Sequence, residues 1–560
     1  MKVKQMQYIL KALLLPVLFA IIIAPLCAQE VMESWHHQPG SSEFSTGIGS
    51  SEWYSTTTQP EARKVVVAIL DSGIDTDHPD LKDNIWINPG EIAGNKKDDD
   101  GNGYVDDMHG WNFIGGADGR SVVKESYEVT RVYSKEKAKW ENVNVSKLKG
   151  KKKQQYEQFL EIKNIVESKR EGAKTQIAEV AEMESRVVNA LKAAKAELKG
   201  DSLKVEILEA SSDPEVQTAA KIIRNVEEQG VKVESIDWLM EVAQEQFSEQ
   251  RKANEDLLAY GYNLEYDSRT IVGDNYTDFS DRVYGNNLVG GEFSYHGTHV
   301  AGIVGAVRNN GIGMDGIANN VALMSVKIVP DGDERDKDVA NAIIYAVDNG
   351  AEVINMSFGK GYSPEKKLVD DAMKYAQKKD VLLVLGAGNE GSDIDADPKF
   401  PNDTYLNSKS GPKNLLSVGA LSPDGGAGAI AEFSNYGKKE VDVFAPGVYI
   451  YSTTPDSSYD YASGTSMASP VVAGVAAMIR SHYPKLSASQ VKDVIIKSAR
   501  KLPAKVIQPG TFDEVSSDEL GIAGAIDLPA AMKLAAKTKG KRKASQIPAE
   551  YIAPKRISKT

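Results

Sequence analysis

Lys64-Val65-Val66-Val67-Ala68-Ile69-Leu70-Asp71-Ser72-Gly73 opens the first strongly structured stretch of the chain. Its six consecutive apolar residues lack the polar alternation of a half-exposed strand. They read as a strand buried on both faces, the habit of parallel sheets. The run stops at a turn, which leaves Asp71 at the carboxyl end of the strand, where open α/β sheets place their ligand crevice. Further along, strands and helices alternate: Ala322 to Val329 (strand), Val339 to Asn349 (helix), Val353 to Met356 (strand), Lys366 to Lys378 (helix) and Val381 to Leu385 (strand). Helices of this length between short apolar strands imply right-handed crossovers. The predicted class is therefore α/β, a doubly wound, mostly parallel sheet covered on both sides.

Outward from this frame the composition changes three times. From about Glu125 to Leu258 the chain is rich in Lys, Glu, Gln and Ala, and helical spacing puts Val187, Leu191, Ala194 and Leu198 on one face, as it does Leu239, Val242 or Ala243, and Phe247. An inserted α-helical subdomain over 121–264 is expected, serving either as a partner-binding or lid-like element or as a solvated hairpin on a surface loop. It divides the sheet domain into 63–120 and 265–535. Residues 29–62 are rich in Ser, Thr, Gly and Gln without sustained period and read as a linker or loosely packed arm. Residues 536–560 are basic and interrupted by proline and read as a disordered tail.

At the amino terminus Lys2, Lys4 and Lys11 precede an apolar run from Ala12 to Leu26, then Cys27, Ala28 and Gln29. This is the order of a secretory signal peptide over 1–28, with cleavage expected after Ala28. The alternatives are an uncleaved anchor and lipid attachment at Cys27. Export would place the protein in a periplasmic or extracellular compartment. Cys27 is the only cysteine, so the mature chain would have no disulfide, leaving core size or metal ions to add stability. A net charge of −13 over 560 residues argues against a nucleic-acid partner, which needs a concentrated basic surface.

Two more segments carry chemistry. Ser294-Tyr295-His296-Gly297-Thr298-His299 sets two histidines three apart at the start of a helical pattern. No Glu lies between them, unlike the zinc-protease helix motif. Ser463-Gly464-Thr465-Ser466-Met467-Ala468-Ser469-Pro470 precedes a run of small apolar residues, and a serine there would by itself be only a helix cap. Together with Asp71 and His296 it means more. A serine hydroxyl becomes a nucleophile when a neutral imidazole takes its proton, and a buried carboxylate holds that imidazole in the right tautomer.

Asp71-Ser72-Gly73, His296-Gly297-Thr298-His299 and Gly464-Thr465-Ser466-Met467-Ala468 resemble the three signatures of the subtilisin family of peptidases, in the family's Asp, His, Ser order. The resemblance implies a serine endopeptidase acting on protein or peptide substrates without a catalytic cofactor. Asp71 would orient the base, His296 would be the general base and acid, Ser466 the nucleophile and His299 structural. Leu385-Gly386-Ala387-Gly388-Asn389-Glu390-Gly391 resembles the oxyanion segment, with the Asn389 amide and the Ser466 N–H as donors. Asn355-Met356-Ser357-Phe358-Gly359 resembles the strand that binds extended substrate, with Lys360 where a small residue is expected.

Phe400-Pro401 resembles the floor of the primary specificity pocket. Lys399 before it would favour an acidic substrate side chain, unless it reaches solvent toward Asp393, Asp395 or Asp397. Structural calcium is expected at Asp80 and Asn310 by resemblance. From spacing it is also expected at Asp98, Asp100, Asn102 and Asp106, for which the alternative is a solvated acidic turn. Too few residues separate Ala28 from the first strand for the prodomain the family commonly carries. Two other functions compete with this reading. An inactive scaffold of the same fold would lose part of the Asp71, His296, Ser466 and Asn389 set, and none is missing. An α/β-hydrolase esterase would need a Gly-x-Ser-x-Gly elbow in another order.

Overall fold

The computed structural model describes residues 33–40, 46–56, 62–200, 203–228, 230–291, 293–549 and 551. The expected signal peptide and Cys27 lie outside these. The chain divides into two compact units, Val129–Tyr266 in one and Glu30–Glu128 with Asp267–Thr560 in the other. Among the described residues, no helix is long and apolar enough to cross a membrane.

The larger unit is built on β1 (Val65–Asp71), β2 (Gly110–Asn112), β3 (Val321–Lys327), β4 (Val353–Met356), β5 (Leu382–Gly386), β6 (Leu415–Leu421) and β7 (Val443–Pro446). Their order is β2-β3-β1-β4-β5-β6-β7, and every pairing is parallel. The strand run read from sequence is buried on both faces, as expected. Val65, Val67 and Ile69 join a core with helices Tyr295–Gly305 and Thr465–His482, whereas Val66, Ala68 and Leu70 join one with helices Asp336–Asp348 and Lys366–Lys378. Each such buried Val, Ile or Leu side chain stabilises the fold by ~1.5–3 kcal/mol relative to exposure. Strand order reverses between β1 and β4, so the crevice for a ligand opens at the carboxyl ends of these strands.

The smaller unit is helical. Its longest helix, Gly150–Leu198, packs with Pro214–Glu228 and Ile236–Asp256 around Leu191, Ala194, Ile223 and Phe247. Val187, Leu191, Ala194 and Leu198 are buried together, and so are Leu239, Ala243 and Phe247.

Two segments depart from expectation. The segment 29–62 is largely packed where described. Trp35 and Ile48 enter the same core as Val65, and Tyr54 Oη donates to the Ile317 carbonyl at 3.0 Å. Single aromatic and aliphatic residues filling separate gaps carry no period, which is why the sequence pattern missed them. The basic tail is also docked in its described part. Arg542 is 8% exposed and sits 2.6 Å from Glu352 and 2.9 Å from Asp380, so a basic residue there completes a buried charge cluster.

Candidate active site

Asp71 closes β1 fully buried, and its Oδ1 accepts hydrogen bonds from Ser72 N and from His296 Nδ1, both at 2.7 Å. His296 lies in the first turn of helix Tyr295–Gly305. Gly297 lets that helix approach, because a Cβ there would stand 2.2 Å from the Gly73 carbonyl oxygen and 3.1 Å from Asp71 Cβ. With Nδ1–H donated to Asp71, the lone pair of Nε2 is left to act as a base. Burial lowers the imidazole pKa, but the charge and hydrogen bond of Asp71 outweigh it and leave the value above the ordinary 6.5.

Ser466 is the second residue of helix Thr465–His482, and its Oγ donates to the Ser357 carbonyl at 3.2 Å. The Asn389 side chain is held by its oxygen, which accepts from Thr465 N at 2.8 Å and Thr465 Oγ1 at 3.1 Å, so its amide N–H groups are free to face elsewhere. A Cβ placed on Gly464 would lie 3.5 Å from Asn389 Nδ2 and 3.6 Å from Ser466 N. Both of the expected donors thus lie close to Gly464. A stabilising site for a developing oxyanion requires two such donors close together.

A cavity of about 680 Å³ is lined by His296, Ser357, Phe358, Gly359, Gly388, Asn389, Lys399 and Ser466, among others. The structure thus brings together every residue expected from sequence in catalysis or substrate binding except Asp71, which stands behind His296. Gly388 has φ +103°, and a Cβ there would meet Asn435 Nδ2 at 2.3 Å. His299 points away from the cleft to the Asp460 carbonyl at 3.1 Å, and burial pushes it down to about 4, so it is neutral at physiological pH.

Lys360 does not narrow the pocket rim. It is buried, with Nζ 2.7 Å from Glu128 and 2.8 Å from Asp336. Lys399 pairs with Asp397 at 3.1 Å, one of the three partners named for the solvent-facing alternative. The geometry therefore does not support selection of acidic side chains by Lys399. Sequence reasoning missed Asp403 and Glu440, which line the same cavity. Burial, then the adjacent Asp403 carboxyl, pushes Glu440 up to about 8. Neither residue lies in a motif, so no sequence signal marked them.

At the expected calcium positions, Asp80 and Asn310 meet, with Asn310 Nδ2 donating to Asp80 Oδ1 at 2.6 Å. Asp80 Oδ2 accepts from Met314 N at 3.0 Å and Tyr459 Oη at 3.3 Å. In the acidic loop, Asp98 is occupied by the N–H groups of Gly101, Asn102 and Gly103, and Asp106 by those of Asn95 and Lys96. Asn102 donates its amide to Asp100 at 3.2 Å and Asp107 at 3.1 Å. The carboxylates that do converge are Glu91, Asp100 and Asp107, with ligand atoms within 4.8 Å of one another. Burial pushes Asp107 up to about 6. Only Asp100 of this trio was expected. Asp107 follows Asp106 directly, but no spacing rule reaches back to Glu91.

A family model described as the subtilase family matches residues 62–521. The thermophilic serine proteinase of Bacillus sp. (strain AK1) is 40% identical over 216 residues, 38% of this chain and 48% of its own length. Subtilisin DY of Bacillus licheniformis is 38% identical over 242 residues, 42% of this chain and 82% of its own. Thermitase of Thermoactinomyces vulgaris is 36% identical over 240 residues, 42% of this chain and 79% of its own. The chain thus spans about half the length of the first relative and about four fifths of the other two.

Proposed function

Because the chain belongs to the subtilase family, we propose that it is an exported serine endopeptidase that cuts peptide bonds with Asp71, His296 and Ser466. The observation that carries this reading is the 2.7 Å hydrogen bond of His296 Nδ1 to buried Asp71, with His296, Asn389 and Ser466 lining one cavity. With a substrate carbonyl beside it, Ser466 Oγ turns from Ser357 toward His296, gives its proton to Nε2 and attacks. Asp71 keeps Nδ1–H in place and stabilises the imidazolium that forms. The two N–H donors hold the oxyanion. Protonated His296 then returns the proton to the leaving amine, and water releases the acyl group from Ser466 by the same path. The backbone of Ser357-Phe358-Gly359 offers an extended substrate main-chain partners, which suits unfolded or loop segments of proteins. Export rests on the order of Lys2, Lys4, Lys11, the apolar run and Ala28.

Calcium is proposed as a structural ion. Glu91 Oε2 is buried with no hydrogen-bond partner among the described residues, beside Asp100 and Asp107, and an orphaned carboxylate oxygen fits a hard cation. The oxygens of Asp80 already have protein donors, so Asp80 and Asn310 fit less well.

A fluorophosphonate probe tests the enzyme reading. It should label the protein at Ser466 and leave the Ser466→Ala variant unlabelled, with hydrolysis of an unfolded protein substrate following the label. A correctly folded protein that neither reacts nor hydrolyses overturns the reading.

A further inference from the structure

The candidate cleft is acidic where a substrate side chain would enter it. Glu390, Asp403 and Glu440 line the cavity that holds Ser466 and His296, and among the described residues none of the three makes an ion pair with a Lys or Arg. Asp331, Asp333 and Glu334 also line the cavity. Asp331 pairs with Lys124 at 2.5 Å. The lysine of the lining, Lys399, is engaged with Asp397 on its own loop. Lys438, in the same turn as Glu440, is turned to Glu519 at 2.8 Å.

Strand register places one wall of the cavity. Leu415 and Ser417, which line the cavity with Asp403 and Glu440, pair with Leu383 and Leu385, one to three residues before the end of β5 at Gly386. At about 3.3 Å per residue this wall of the cavity lies roughly 3–10 Å along the strand from Gly386. An extended lysine or arginine side chain spans such a distance. Asp403 and Glu440 line the cavity together, and burial, then the hydrogen bond and charge of Asp403, pushes the Glu440 carboxyl up to about 8. Asp395 fixes the turn that presents Glu440, accepting from Glu440 N at 3.0 Å. An incoming ammonium or guanidinium would pair with both carboxyls and favour their ionised forms, the proton of Glu440 leaving to solvent.

We infer that this pocket selects a lysine or arginine side chain just before the scissile bond, with Glu440 and Asp403 as the residues that bind it. The inference rests on the peptidase reading above and names its substrate class. The sign is opposite to that expected from Lys399 in sequence.

The test uses the full-length protein and three peptides that differ only in the residue before the cut: Lys, Phe or Glu. The kcat/KM ratio of Lys to Phe should exceed about tenfold in the wild type, the size of a charge-assisted contact in a half-buried site. In Glu440→Gln/Asp403→Asn it should fall to within about threefold of unity. Asp403→Asn alone, the milder change, should give an intermediate ratio if the double variant folds poorly by thermal unfolding. A wild-type ratio at or below one overturns the inference, as does a ratio that both variants leave unchanged. A Glu preference that disappears in Lys399→Gly overturns it in favour of the acidic-substrate alternative. Fluorophosphonate labelling of the wild type, run alongside, separates the two claims. Labelling with cleavage of all three peptides but no Lys preference removes only this inference, whereas no labelling and no cleavage removes the peptidase reading beneath it.

Discussion

The sheet unit and the helical unit solve the packing problem differently. In the sheet unit, whole charges are buried: Lys337 Nζ lies 2.7 Å from Asp274 and Arg480 3.3 Å from Asp380, and both cations are 0% exposed. Its glycines at the site are placed by close approach, as at Gly297 and Gly388. In the helical unit the core is Ala, Val, Leu, Ile and Phe at helical spacing. Its charges lie outside in pairs such as Lys153–Glu157 and Lys163–Glu167, worth about 0.3–0.5 kcal/mol each. Around Gly150, Gly172, Gly200 and Gly230 there is nothing within 4 Å of an added Cβ. The first unit depends on particular atoms in particular places, the second on a pattern. Substitutions should therefore cost far more in the first.

The largest effect belongs to the catalytic carboxylate. Asp71→Asn should lower kcat by about 10⁴ while leaving the protein folded, because the wrong imidazole tautomer is then favoured. His296 must be neutral to act, so activity should rise with pH through a value above the ordinary 6.5 in the wild type. In Asp71→Asn the raising influence is gone and burial remains, so any residual acid limb should move to lower pH. A limb that stays in place shows that Asp71 does not set the base. Next comes Asn389→Ala, expected to cost about 10²–10³ in kcat with little change in KM, a magnitude known for the corresponding amide in a subtilisin. An equal loss from Thr465→Val would indicate that Thr465, which holds the Asn389 oxygen, matters as much as the amide itself.

A stability effect follows. Glu352 receives Arg63 and Arg542 at 2.6 Å each, with Arg480 at 3.6 Å. Burial would raise the Glu352 pKa, but the hydrogen bond of Arg63 and the charges of Arg480, Arg63 and Arg542 hold it below the ordinary value. Its stabilising contribution is thus present above the unfolded carboxyl pKa and lost as pH falls through the lowered folded one. Arg542→Ala should destabilise by about 3 kcal/mol, at the low end for a broken buried pair because two arginines remain. Thermal unfolding at neutral pH measures this. A change near zero would mean that the docked tail adds nothing to the cluster.

Much of this was legible in sequence, for reasons that also mark the limits. The strand Val65–Asp71, the helix at Lys366–Lys378 and the strand at Val353–Met356 announce themselves because period and burial coincide. Residues 71, 296, 466 and 389 were legible as motifs because the chemistry demands fixed local sequence around each. Strands β6 and β7 were not read, although both are buried, since their short apolar runs sit among glycines and turns. The acid pair Asp403 and Glu440 and the convergence of Glu91 on Asp100 and Asp107 are meetings across the fold, which no local spacing encodes. Trp35 and Arg542 were missed for the same reason, as single side chains that find their partners only in three dimensions.

The smallest expected effect tests the comparison itself. If the helical unit is specified by its own pattern, the sheet unit should survive without it. Within the sheet unit the two sides of the insertion point are neighbours. Glu125 accepts from Arg335 Nε at 2.8 Å and from Ser268 Oγ, so the chain leaves and re-enters at one place. A short connection there closes a smaller loop than the native one, and loop-closure cost grows only with the logarithm of length. Replacing residues 129–266 with a short Gly/Ser linker should leave kcat/KM for a small peptide within about tenfold and unfolding still cooperative. Protein substrates are the place for a larger change, because only they extend beyond the residues flanking the cut. A loss of folding, or a fall well beyond tenfold on the small peptide, would mean that the helices supply part of the core or the cleft, and the division into a unit of fixed atoms and a unit of pattern would fail.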